Sequence, residues 1–189
     1  MADARVLLLH GFEHHRAPAH WLWWLAEELR SRRIPVAYPQ LPAPDAPLVG
    51  DQSEVVLAEL EMLGEGERIV VTHSLGGVLW LHVAARMDPA LAVDRVLMVA
   101  PPHPVRLAGP MENFRLAGID PPSALSRGAR TTTVVARTED PYRPGTLAAL
   151  TENWPVGAVE LPGVGHLNPD DGHGPWPLAL DWVLAGAIA

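Results

Sequence analysis

The sequence predicts an α/β fold, a three-layer sandwich in which about six mainly parallel strands lie between helices. Three observations carry this expectation. Short apolar runs such as Val6–Leu9, Ile69–Val71 and Val96–Val99 are continuous rather than alternating, as in strands buried on both faces. Most are followed by longer stretches with apolar residues at helical spacing. The 189 residues contain no internal repeat and no long linker, so residues 1–189 fit one domain. A domain of that size buries roughly 70% of its extended-chain surface in a single core.

Taken in order, Val6–Leu9 is the first strand, and a helix from about Ala19 to Arg32 follows, with Trp21, Trp24, Leu25 and Leu29 on helical spacing. Ile34–Tyr38 is the second strand, after which the proline-rich Pro39–Pro47 crosses the top of the sheet as a loop. Asp51 or Ser53 then caps a helix carrying Val55, Val56, Leu60 and Leu63. Ile69–Val71 is the third strand, Gly76–Met87 the helix behind it, and Val96–Val99 the fourth strand. Pro101–Arg130 is a long irregular stretch rich in proline and glycine, suited to a rim or minimal lid. Thr133–Ala136 is the fifth strand, Thr146–Asn153 a helix, Val159–Leu161 the sixth strand and Pro177–Ile188 a closing helix. In such a sheet, sites gather at the carboxyl ends of the strands.

Composition removes several classes of function. There is no cysteine, so disulfides, thiol nucleophiles, thiolate metal sites and LxCxE-type peptide motifs are excluded. All 14 basic residues are arginine, which excludes a P-loop lysine, a Schiff-base lysine and a serine–lysine dyad. A net charge of −8 with no basic run longer than Arg32-Arg33 argues against nucleic acid as a partner. The first apolar run is too short for a signal peptide or a membrane span, so the expectation is a cytoplasmic protein without a membrane partner. Oligomeric state is not encoded.

The most informative segment is Arg68-Ile69-Val70-Val71-Thr72-His73-Ser74-Leu75-Gly76-Gly77. A β-branched run ends in a serine and turns at once into small residues and a helix, which is the pattern of a nucleophile elbow. The Leu75 N–H then points where negative charge develops during attack on a carbonyl. Thr72 stands where the G-x-S-x-G pattern has its first glycine. Its branched side chain is expected to crowd the elbow, so that Thr72→Gly raises kcat.

A serine nucleophile needs a histidine base and an acid that orients it. The fifth strand runs out into Glu139-Asp140-Pro141-Tyr142, and the sixth into Gly163-Val164-Gly165-His166. Ser74, Asp140 and His166 thus fall in the order serine, acid, histidine, the order of α/β hydrolases. Asp140 is preferred to Glu139 because Pro141 biases it towards an extended backbone, and His166 to His173, which lies in a turn. A second oxyanion donor is expected after the first strand at His10-Gly11-Phe12, with Phe12 N–H as the candidate and Gly11 permitting close approach.

These residues resemble those of the small serine hydrolases related to retinoblastoma-binding protein nine and to bacterial YdeN, within the α/β-hydrolase superfamily. The resemblance also covers His20-Trp21, Tyr38-Pro39-Gln40-Leu41-Pro42 with Pro44-Asp45-Ala46-Pro47, Gly165-His166-Leu167-Asn168 and Gly174-Pro175-Trp176-Pro177. It implies an α/β-hydrolase-like fold, Ser74 as nucleophile, Asp140 as acid, His166 as base, and a His20 that hydrogen-bonds in the active-site floor. Family elbows usually have glycine where this chain has Thr72.

His10, Gly11, His20 and His103 are the candidate substrate contacts. No histidine or carboxylate spacing matches a metal site, so neither metal nor cofactor is expected. The resulting expectation is a cofactor-independent serine hydrolase of small esters or amides. The alternatives are a catalytically weak binding module, suggested by Thr72 and by the family's association with protein partners, and a cofactorless perhydrolase or lyase on the same triad.

Overall fold

Strands β1 (Ala4–Leu9), β2 (Val36–Ala37), β3 (Glu67–His73), β4 (Val93–Val99), β5 (Ala129–Glu139) and β6 (Gly157–Val164) build the sheet of the computed structural model, which describes residues 3–187. They lie in the order β2-β1-β3-β4-β5-β6, and every pairing is parallel. Successive side chains on a strand point to opposite faces, and both faces here are apolar. Val6, Leu8, Ile69, Val71, Leu97, Val99 and Val135 pack under α1 (Trp21–Ser31) and α6 (Pro177–Ala185). Leu7, Leu9, Val70, Val96, Met98, Val134 and Ala136 pack under α2 (Val49–Leu63), α3 (Leu75–Arg86) and α4 (Pro121–Gly128). A short α5 (Leu147–Leu150) joins the same face through Leu147.

The chain passes from β1 to β2 on one side and then returns to β3 on the other. The connections leaving β1 and β3 therefore diverge, which opens a crevice at their carboxyl ends. That crevice positions the site.

Several elements differ from the sequence expectation for identifiable reasons. Only Val36 and Ala37 of the second strand pair with β1, at the sheet edge, because Pro35 has no N–H and contributes only its carbonyl, to Val6 N–H at 2.9 Å. The second helix starts at Val49, so Asp51 and Ser53 lie inside it rather than at its cap. Its first N–H is satisfied from far along the chain, by Asn113 Oδ1 at 2.7 Å. Pro101–Arg130 is more ordered than expected. It carries 3-10 turns at Pro104–Arg106 and Gly109–Phe114, and then α4, whose N-cap Asp120 accepts Ser123 N–H at 3.1 Å. Pro121 and Pro122 sit in the first turn, where their missing N–H groups cost nothing. The closing helix ends at Ala185, with Gly186 left-handed at φ 80° as its stop; Ile188 lies outside the described residues.

Candidate active site

Ser74 occupies the turn between β3 and α3 with φ 54° and ψ −126°, a conformation few L-residues adopt and one held here by its surroundings. Its N–H donates to Val99 O at 2.9 Å, which fastens the turn to β4. Close packing shapes the space around it. A Cβ on Gly76 would lie 2.7 Å from Leu9 O and 2.8 Å from His10 O, and one on Gly11 would lie 2.8 Å from Ser74 Cβ. Only glycine fits at either position.

The structure brings Ser74, His166 and Asp140 into one chain of hydrogen bonds. Ser74 Oγ lies 2.8 Å from His166 Nε2, and His166 Nδ1 lies 2.9 and 3.0 Å from the two Asp140 carboxylate oxygens. A carboxylate only accepts, so Nδ1 carries the proton and Nε2 presents its lone pair to the serine. Tyr142 N–H donates to Asp140 Oδ1 at 2.8 Å, and Asp140 and His166 are both buried. Glu139 is exposed, and its carbonyl receives Gly165 N–H at 2.9 Å. His173 packs on Trp176 at 5.2 Å between ring centroids and takes no part in the chain of hydrogen bonds.

Leu75 is the first residue of α3, and Phe12 lies in the turn after β1. Among the described residues, neither N–H has a protein acceptor. Both Ser74 and Phe12 line a cleft of about 410 Å³ with His14, His20, His73 and His166. Pro102, Arg106, Met111 and Tyr142 form its other wall. Pro101–Arg130 therefore does supply a rim.

Two of the expected substrate contacts lie away from the cleft. His10 is buried and does not line the cleft: its Nδ1–H donates to Gly11 O at 2.9 Å and its Nε2 accepts Leu41 N–H at 2.9 Å. It joins two loops instead. His103 caps the 3-10 turn at Pro104–Arg106 by accepting Val105 N–H at 3.2 Å, and it too is absent from the cleft wall. Gly11 and His20 do line it, and His20 Nδ1 accepts Leu22 N–H at 3.1 Å as the N-cap of α1.

The crowding expected of Thr72 does not occur. Its ladder register with Leu9 and Met98 is regular, and it is fully buried. Room for its side chain comes from Gly77, where a Cβ would lie 3.3 Å from Thr72 Oγ1. The small residue has moved to the helix side of the contact.

Sequence reasoning did not reach the packed imidazoles. His14 stacks on His10 with centroids 5.0 Å apart, His20 meets His14 at 4.4 Å and His73 at 4.9 Å, and His73 lies 5.1 Å from His166. Burial pushes His10 down to about 4 and His14 and His20 down to about 3; His73 is driven well below the usual histidine range for the same reason. These rings are neutral at pH 7. Among the described residues, no group of three or more histidine or acidic side chains is arranged to hold a metal ion.

A sequence model of the serine hydrolase family matches residues 6–184, and the chain belongs to that family. No curated protein matches its sequence. The fold is similar to that of the ydeN gene product of B. subtilis, with a TM-score of 0.80, 20% identity, and coverage of 96% of this chain and 97% of that one. A putative YdeN-like hydrolase from Pectobacterium atrosepticum has a TM-score of 0.74 at 19% identity, covering 97% and 90% of the two chains. Est1E from Butyrivibrio proteoclasticus has a TM-score of 0.66 at 15% identity, covering 87% and 80%. The resemblance to YdeN-type hydrolases read from the sequence agrees with both the family and the fold. Among the described residues, no helix is long and apolar enough to cross a membrane.

Proposed function

We propose that this serine hydrolase cleaves small carboxylic esters or amides, without a cofactor, through an acyl-enzyme on Ser74. The observation that carries the reading is the Ser74–His166–Asp140 chain of hydrogen bonds at a cleft lined by Ser74, His166 and Phe12, with the Leu75 and Phe12 N–H groups lacking a protein acceptor among the described residues. Ser74 Oγ attacks the acyl carbon while His166 Nε2 takes its proton, and Asp140 stabilises the imidazolium that results. Leu75 N–H and Phe12 N–H receive the oxyanion, a contribution of about 3 kcal/mol for one such donor. His166 then passes its proton to the leaving alcohol or amine as the acyl-enzyme forms. Water gives a proton to His166 and attacks the ester carbon, which releases the acid and restores Ser74 Oγ–H.

The cleft, about 410 Å³, is at the small end of ligand pockets, which suits compact acyl groups. Reaction with a fluorophosphonate probe tests the reading. One label on the wild-type protein, located at Ser74 and lost in Ser74→Ala, is the expected result. A protein that binds partners without turnover leaves the probe unreacted.

A further inference from the structure

The loop that carries His166 turns through positive φ on both sides of the imidazole. Gly165 has φ 126° and Leu167, which is not glycine, has φ 56°. Backbone of this kind keeps its shape only where neighbours over-determine it. Here the neighbours are side chains from three separate elements. Asp171, in the 3-10 turn Pro169–Asp171, accepts the His166 N–H with its carboxylate. His73, at the end of β3, donates Nε2–H to His166 O at 2.9 Å. Trp21, at the start of α1, donates Nε1–H to Leu167 O at 2.9 Å.

We infer that His73 and Asp171 are positioning residues, which grip the two ends of the His166 residue backbone and thereby set the base against the nucleophile. The inference rests on the reading of Ser74 as nucleophile and His166 as base. His73 is the more informative of the two because it adjoins Ser74 in the chain. One rigid residue thus fixes the serine through a peptide bond and the base through a hydrogen bond. Its ring is itself held between His20 at 4.9 Å and Trp21 at 5.8 Å, and as donor to a carbonyl it must keep its proton on Nε2. Asp171 is exposed, but its carboxylate packs on Gly165: a Cβ there would lie 2.7 Å from Asp171 Cγ, so glycine at that point admits the carboxylate. Neither residue needs to touch substrate for this role.

A misplacement of about 1 Å between reacting groups costs on the order of a hundredfold in rate. Removing the grip should therefore lower kcat and leave KM nearly unchanged. The test compares His73→Phe with His73→Gln, whose amide can replace the Nε2–H donor, and Asp171→Ala with Asp171→Asn, whose amide oxygen still accepts. Hydrolysis of p-nitrophenyl acetate is measured together with the downfield proton resonance of His166 Nδ1–H, which reports the contact with Asp140 whether or not the protein turns over. The expected result is a fall in kcat of roughly tenfold to a hundredfold for His73→Phe and Asp171→Ala. The conservative variants should recover at least half of that loss on a logarithmic scale, and the resonance should broaden or shift only where the grip is lost. Equal kcat and an unchanged resonance in all four variants overturn the inference while leaving the hydrolase reading intact. An inert wild type whose resonance responds as described upholds the grip and removes the hydrolase reading instead.

Discussion

Thr72 and Gly77 share one space across the nucleophile elbow: a Cβ added at Gly77 would stand 3.3 Å from Thr72 Oγ1. The elbow needs one small side chain where strand and helix meet, and this chain supplies it on the helix. Thr72→Gly should accordingly leave kcat unchanged or lower it, and reduce stability by about 1 kcal/mol or more through a flexible residue in a central strand. Gly77→Ala should also destabilise. The double variant, which exchanges the positions of the small and larger residue, should be more stable than the sum of the two single effects predicts. Strict additivity in denaturant melts contradicts the shared-space account.

Gly11 and Gly76 both allow backbone segments to approach closely at the turn that holds Ser74. Alanine at Gly11 would push on Ser74 and on the carbonyl of His73, and alanine at Gly76 on the carbonyls of Leu9 and His10. Gly11→Ala should lose roughly a hundredfold in kcat together with several degrees of melting temperature, since the proposed nucleophile and oxyanion loop can separate only by backbone movement. Gly76→Ala should lose several degrees of melting temperature, because backbone has to move.

The packed imidazoles make stability depend on pH. His10, His14 and His20 stay neutral in the folded state down to about 4, 3 and 3, while the unfolded chain takes up their protons near 6.5. Their folded values are depressed, so their contribution to stability is complete above 6.5 and is lost as pH falls from there towards 3 or 4. Within that window each adds up to about 1.4 kcal/mol per pH unit to the slope. Urea unfolding at pH 7 and pH 5.5 should show the protein markedly weaker at the lower pH. His20→Gln should flatten that difference, and an equal slope in the two proteins counts against the assignment.

Substrate size follows from the cleft. With about 410 Å³ between His14, His20 and the Met111–Tyr142 wall, acetate and butyrate esters should react faster than esters of ten or more carbons. A rising kcat/KM along the p-nitrophenyl ester series up to decanoate would show that the Pro101–Arg130 rim opens further than this structure shows.

Much of this was legible in the sequence because it is local or ordered along the chain. A β-branched run before Ser74, an acid before Pro141 and a histidine after paired glycines announce themselves within a few residues. What was not legible depends on partners far away in sequence. Asn113 caps α2 across 64 residues, so Asp51 and Ser53 were the visible but wrong candidates. His10 looked like a substrate contact because its partner, Leu41 N–H, lies 31 residues on in a loop whose path no local signal gives. Pro121-Pro122 read as loop because two prolines usually break a helix, though in the first turn behind Asp120 they begin one. The convergence of Trp21, His73 and Asp171 on the His166 loop likewise has no one-dimensional signature.

The most direct test of the central claim is rapid mixing of the protein with p-nitrophenyl acetate, followed by intact and peptide mass measurement. The account predicts a burst of about one equivalent of p-nitrophenol and an acetyl group on the peptide bearing Ser74. Both should vanish in Ser74→Ala and be strongly slowed in His166→Ala. Turnover without an acyl intermediate on Ser74, or acetylation that survives in Ser74→Ala, would contradict it.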